Sequence, residues 1–280
     1  MTCSLKREYD LIVSLGGNCA AACQMKHRGL RRVALGFDWL AMDDLRAIHY
    51  FSRAMENGFG DLALRENLEV CSPPLGSGKQ LEYRYADRLS GYRFLHHFHG
   101  DVWTDAGEYE RGRRTLLKRI DRFMNLLDRS KTALLVLETN FEFEDVEIFK
   151  LHEAIARRFP SVDIELYVMM FSAGTQGDKP LPGIGAVCKY QRPVNLLYDM
   201  QFTSWEWSFL DYVRLSPANF GNCHSRPTGL SRIKYKLWKH CGKELEDRGY
   251  PYVSMHFPHG LEVPDATTAN GNAGRTAVGR

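Results

Sequence analysis

The sequence predicts an α/β protein: a three-layer sandwich around a mainly parallel central sheet, with some antiparallel strands. Three observations carry this reading. Residues 10–15, apolar apart from Asp10 and Ser14, lead to a break at Gly16-Gly17 and continue into Ala20-Ala21-Ala22, the pattern of a buried strand, a turn and a helix. Residues 132–139 and 163–170 are apolar runs of strand length, and between them residues 145–159 repeat their apolar positions at helical spacing. That strand-helix-strand order is the unit from which parallel sheets are built. Residues 81–85 and 92–98 alternate aromatic and polar side chains on either side of Ser90-Gly91, which predicts an antiparallel pair.

The remaining elements follow in order. Gly29, flanked by Arg28 and Arg31, is a natural stop for the helix that begins near Cys19. Leu45, Ile48, Phe51 and Met55 place an amphipathic helix over residues 43–57, with Asp43 or Asp44 at its start and Gly58 and Gly60 closing it. Residues 67–71 read as a short strand, and Ser72-Pro73-Pro74-Leu75-Gly76-Ser77-Gly78 as a loop without a phosphate role. The clearest helix covers residues 108–129: Leu116, Leu117, Ile120, Phe123, Met124 and Leu127 face inward, and Arg111, Arg114, Lys118 and Arg122 form a basic stripe outside. Residues 172–185 read as a loop and 186–190 as a short strand. Trp205 and Trp207 belong to an aromatic stretch that covers the core or lines a cleft, and residues 231–248 form a basic helix. The expected organisation is a single α/β domain over residues 1–264 followed by a disordered tail, 265–280, almost free of large apolar residues.

Composition narrows the function only by exclusion. A net charge of +3 gives no global field of the kind nucleic-acid-binding proteins carry, so no nucleic-acid partner is expected. No run is long enough to span a bilayer. Seven scattered cysteines and no apolar signal segment at the N-terminus lead to the expectation of a cytoplasmic protein with free thiols.

One of those thiols sits where a nucleophile is useful. Cys19 falls at the first turn of a helix, where unpaired N–H groups and the helix dipole favour a thiolate and can hold an oxyanion. The N–H groups of Gly16, Gly17 and Asn18 are the candidate oxyanion donors. The base is sought in His96-His97-Phe98-His99, the densest titratable group in the chain, with His97 preferred to His96. Strand alternation places His97 and His99 on one face and His96 on the other. Asp38, set between Phe37 and Trp39, and Glu138 and Asn140, at the polar end of an apolar strand, are candidates to orient the imidazole. No metal or other cofactor is expected, because no further ligands are spaced to complete a site with the histidines. Asn222-Cys223-His224 is a second, weaker cysteine-histidine pair.

The run Ser14-Leu15-Gly16-Gly17-Asn18-Cys19, followed by Gly29-Leu30-Arg31 and Phe37-Asp38-Trp39, resembles a bacterial and fungal family catalogued as "putative papain-like cysteine peptidases". Here Gly17 stands where that family's pattern has serine, and Gly36 where it has proline. The resemblance covers roughly the first half of the chain. It implies a Cys19 nucleophile, a downstream base from the His96-His97 pair and a papain-like α+β fold as the alternative architecture. The strand, glycine turn and helical nucleophile also bear a weaker likeness to SGNH-type esterases, although the Gly-Asp-Ser motif and a C-terminal Asp-x-x-His are absent.

The leading expectation is therefore hydrolysis or acyl transfer on an amide or ester, with a small molecule, peptide or glycan as substrate. The alternative is a non-catalytic or accessory binding domain for glycans or sugar phosphates, linked to polysaccharide synthesis. On that reading the glycine turn and basic residues hold an anion, and Trp205 or Trp207 offers a stacking surface.

Overall fold

A computed structural model describes residues 5, 8–17, 19–31, 33–75, 82–172, 177–190, 210 and 213–216. The expectations for residues 191–209, 222–224, 231–248 and 265–280 lie outside the described residues, as does Asn18.

The central sheet has five strands: β2 (Leu11–Ser14), β7 (Thr132–Thr139), β8 (Asp163–Phe171), β10 (Gly185–Tyr190) and β9 (Gly177–Leu181), in that spatial order. The first four run parallel, and β9 is antiparallel on β10. Its burial follows the side-chain period of two. On one face, Leu135, Leu137, Leu166 and Val168 join a core with Ile148, Leu151 and Ile155 of α4 (Asp145–Arg158). On the other, Ile12, Leu134, Val136 and Met169 pack with Ala20, Ala21 and Met25 of α1 (Ala20–His27). Helices on both faces force the strands to be apolar throughout, and β7 is buried at seven of its eight positions. The chain is thus a mixed α/β protein with a mostly parallel central sheet plus antiparallel strands, an arrangement also compatible with a papain-like α+β description.

A second sheet, antiparallel, has the order β3 (Leu40–Met42), β6 (Tyr92–Phe98), β5 (Glu82–Asp87), β4 (Leu68–Leu75). It packs against α3 (Ala106–Asp128), whose Leu116, Ile120 and Phe123 meet Phe94 and Phe98 in one core with Phe51 of α2 (Arg46–Asn57). The short strands β1 (Glu8–Tyr9) and β11 (Arg214–Leu215) pair in parallel beside the first sheet.

Several element readings are corrected. The loop expected at residues 72–78 is strand as far as Leu75, and β4 carries Pro73 and Pro74 because it is an edge strand with two register shifts. Within the loop expected at 172–185, β9 forms a hairpin on β10 although four of its five residues are exposed. The helix expected from residue 43 starts at Arg46, because residues 40–42 are drawn into β3. Alternation also fails in β6. Tyr83 pairs with Phe98 but Tyr85 with Phe94, so β6 holds two extra residues across its histidines.

The two sheets meet at the turn after β2. Gly16 and Gly17 have φ of +91° and +97°, a region that suits glycine. The carbonyl of Gly16 accepts from the Glu138 N–H (3.3 Å), and that of Gly17 accepts from the Met42 N–H (3.2 Å). A Cβ at Gly17 would lie 1.2 Å from the Glu138 carbonyl oxygen, both atoms being fixed by backbone. Gly17→Ala is expected to lose more than about 3 kcal/mol of stability, because strain and a backbone clash add. Gly183→Ala, at φ +76° with nothing within 4 Å of the new Cβ, should lose only about 1 kcal/mol. Urea unfolding of the two variants checks the contrast.

Candidate active site

The site is assembled where β2 and β7 end and α1 begins. In an open parallel sheet this carboxyl edge is where side chains converge on a ligand. Cys19 is the N-cap residue of α1, with helical backbone angles and no capping bond from its side chain. It is partly exposed, whereas Cys23, one turn on, is buried. The Cys23 N–H donates to the Cys19 carbonyl (3.0 Å), which sets the two side chains one helical turn apart, and the Cys19 thiol acts as a hydrogen-bond donor towards the charged form of Cys23. The bond from Cys19 holds the Cys23 thiol below its ordinary pKa; burial opposes this, and the charges of Arg31 and Lys26 assist it.

Asp38 is buried beside this pair and is already engaged. Its Oδ2 accepts from Arg31 Nε (2.8 Å) and Nη2 (2.7 Å) and from the Leu35 N–H (2.8 Å). Burial raises its pKa, against the pull of Arg31. The carboxylate thus holds the loop between α1 and β3 and fixes Arg31, and it is not bonded to a histidine. The Arg31 guanidinium lies over the Trp39 ring (5.4 Å), and Trp39 meets His96 edge-to-face (5.6 Å). Arg31 therefore links the thiol pair to the Phe37-Asp38-Trp39 element and, through Trp39, to an exposed histidine.

His97 is placed differently. Its ring is buried 5.7 Å from Phe94, and neither ring nitrogen makes a hydrogen bond, to Cys19 or to any described residue. Burial, with Arg119, His96 and His99 adding like charge, pushes its pKa down to about 3. The expected pairing of His97 with His99 on one face is corrected: His97 is buried, while His96 and His99 are exposed. The extra residues of β6 displace the alternation.

Glu138 is buried, and its Oε1 accepts from the Tyr190 hydroxyl (2.8 Å) at the end of β10, so it is bonded to a phenol. Asn140 is half-buried, and its Oδ1 makes no hydrogen bond among the described residues. Of the candidate oxyanion donors, the Gly16 N–H is spent on Ser14 Oγ (3.0 Å). Three participants were missed from the sequence: Cys23, Arg31 and Tyr190. The Gly29-Leu30-Arg31 element carried a signal for Arg31, and the helical i,i+4 spacing from Cys19 one for Cys23. Nothing in the sequence pairs Tyr190 with Glu138. Among the described residues no group of three or more His, Cys, Asp or Glu side chains could hold a metal, and no helix is long and apolar enough to cross a membrane.

Fold and site together define an α/β protein that presents a cysteine on a strand-turn-helix at the carboxyl edge of a parallel sheet. The chain belongs to the family described as "Putative papain-like cysteine peptidase (DUF1796)", whose model matches residues 10–174, more than half of its length. It is also similar to an uncharacterised protein of Acanthamoeba polyphaga mimivirus, 24% identical over 135 residues. That match covers 45% of this chain and 60% of the viral protein. No solved structure matches.

The buried His97 gives a measurable pH dependence. Its folded pKa lies below its ordinary 6.5, so its contribution to stability is complete above pH 6.5 and is lost as pH falls towards about 3. His97→Leu is expected to remove that loss, flattening the acid limb by about 1.4 kcal/mol per pH unit where the neutral imidazole must compete with protonation. Denaturant titrations between pH 7 and pH 4 measure the slope.

Proposed function

We propose that this protein is a cysteine-dependent hydrolase or acyltransferase acting on an amide or ester, with Cys19 as the nucleophile. The observation that carries the reading is the setting of Cys19: a partly exposed thiol at a helix N-cap, two residues after a fixed glycine turn and one helical turn before Cys23, on which the charge of Arg31 acts. In this mechanism the Cys19 sulfur attacks the carbonyl carbon, and the carbonyl electron pair moves onto oxygen. The N–H groups of Cys19 and Asn18 receive the oxyanion, because Gly16 is confined to Ser14 and Gly17 is engaged in the bridge to β3. Collapse of the tetrahedral adduct expels the amine or alcohol, and water or an acceptor then releases the acyl group.

His96 is our choice for the proton carrier, ahead of His97. It is exposed and stands on Trp39, which Arg31 joins to the thiol pair, whereas the His97 imidazole resists taking a proton at all. Asp38 acts as a positioning residue through Arg31. Glu138 and Asn140, at the end of β7, would line the substrate side of the turn. We assign no cofactor to this chemistry.

The alternative of an accessory binding domain for sugar phosphates is favoured by one observation. Arg119 and Arg31 both bear on the single carboxylate of Asp38, and Arg122 bears on Arg119, so this neighbourhood carries an excess of positive charge. Iodoacetamide-alkyne labelling separates the two readings. Cys19→Ser is expected to reduce labelling at pH 7 at least about tenfold while leaving the thermal midpoint within about 2 °C of the parent. His96→Ala should lower the rate below about pH 7, and His97→Ala should not. Equal labelling of another cysteine, together with tight sugar-phosphate binding that survives Cys19→Ser, would favour the binding domain.

A further inference from the structure

Cys19 and Cys23 differ in ways that matter for oxidation. Cys19 is partly exposed, so a small peroxide can reach it; Cys23 is buried one helical turn on, its N–H bonded to the Cys19 carbonyl. The i,i+4 spacing leaves Cβ atoms about 5–6 Å apart in a regular helix, slightly beyond the roughly 3.5–4.5 Å a disulfide spans. Here the first of the two is the N-cap residue, whose carbonyl accepts from the Cys23 N–H at the start of the helix. Closing the gap therefore requires the turn before the helix to tighten and leaves the later helical bonds in place. Arg31 and Lys26 favour negative charge on Cys23, which equips it to attack.

We infer that Cys23 is a resolving cysteine that converts oxidised Cys19 into a reversible intramolecular disulfide. The inference rests on the reading of Cys19 as the reactive thiol. The oxidant is a hydroperoxide. The Cys19 thiolate displaces hydroxide from hydrogen peroxide and becomes a sulfenic acid, giving up two electrons. The Cys23 thiolate then attacks the Cys19 sulfur, the S–S bond forms and the sulfenic oxygen leaves as hydroxide. A dithiol reductant reverses the reaction by exchange. The consequence is protective: Cys19 is held from the irreversible sulfinic and sulfonic acids, and acyl transfer stops until the bridge is reduced.

Cleavage after Arg7 and Lys26 releases residues 8–26, a peptide that contains Cys19 and Cys23 and no other cysteine. The test is to treat the folded full-length protein with hydrogen peroxide, block free thiols, digest with trypsin and weigh this peptide. The expected result is a loss of about 2 Da, restored by dithiothreitol. In Cys23→Ser the same peptide should gain about 32 Da, the mass of a sulfinic acid. Sulfinic acid at Cys19 in the unmodified chain, formed as fast as in Cys23→Ser, would overturn the resolving role while leaving Cys19 reactive. A bridge from Cys19 to a different cysteine would overturn it in the same way. Peroxide that leaves both thiols of the peptide reduced would count against both this inference and the nucleophile assignment.

Discussion

The rest of the structure depends on one close approach, the backbone of Gly17 against the carbonyl of Glu138. With no side chain at residue 17, the turn after β2 lies against the end of β7 while offering its own carbonyl to Met42 on β3. One peptide segment thereby joins the parallel sheet to the antiparallel one. Its direction on leaving the turn decides where α1 starts, and hence where the Cys19 sulfur stands.

A second constraint acts from the far end of α1. The helix stops at Gly29, whose φ of +72° allows the chain to reverse, and Arg31 then turns inward to Asp38. A buried pair of this kind contributes little net stability, because desolvation offsets most of the attraction. Its value lies in geometry: the paired nitrogens of Arg31 on one carboxylate oxygen, with the Leu35 N–H on the same atom, leave the loop few alternatives. The same guanidinium lies over Trp39 and stabilises charge at Cys23. Removal of either partner would strand a buried charge and release the wall of the site together.

What could be read from the sequence was what burial writes into it. β7, α4 and β8 are legible to within a residue or two because a strand covered on both faces must be apolar throughout, and a helix covered on one side must repeat at 3.6. β3 is short, and its existence depends on a partner that arrives from a distant part of the chain, Phe94; β9 has a local partner in β10, but four of its five residues are exposed and leave no apolar pattern. In the site, the position of Cys19 was legible because a turn and a helix start are local events. The partners of Asp38 and Glu138 were not, since a carboxylate in an apolar setting must find a donor but the sequence does not say which.

The histidines show most clearly how a local rule fails for a long-range reason. Alternation would have put His97 beside His99, and that inference holds for any strand whose register is unbroken. β6 takes up two residues more than β5 across this segment, so His97 and Phe98 both turn inward while His96 stays outside. A proton carrier must be able to exist in both charge states near neutral pH. An imidazole among Phe94, Phe98 and the charge of Arg119 is held neutral far below that range. His96 lies at the surface, edge-to-face with Trp39. The bulge therefore does more than bend a strand. It decides which of two adjacent histidines is buried and which is exposed, and the exposed one is the histidine that the proposed mechanism uses.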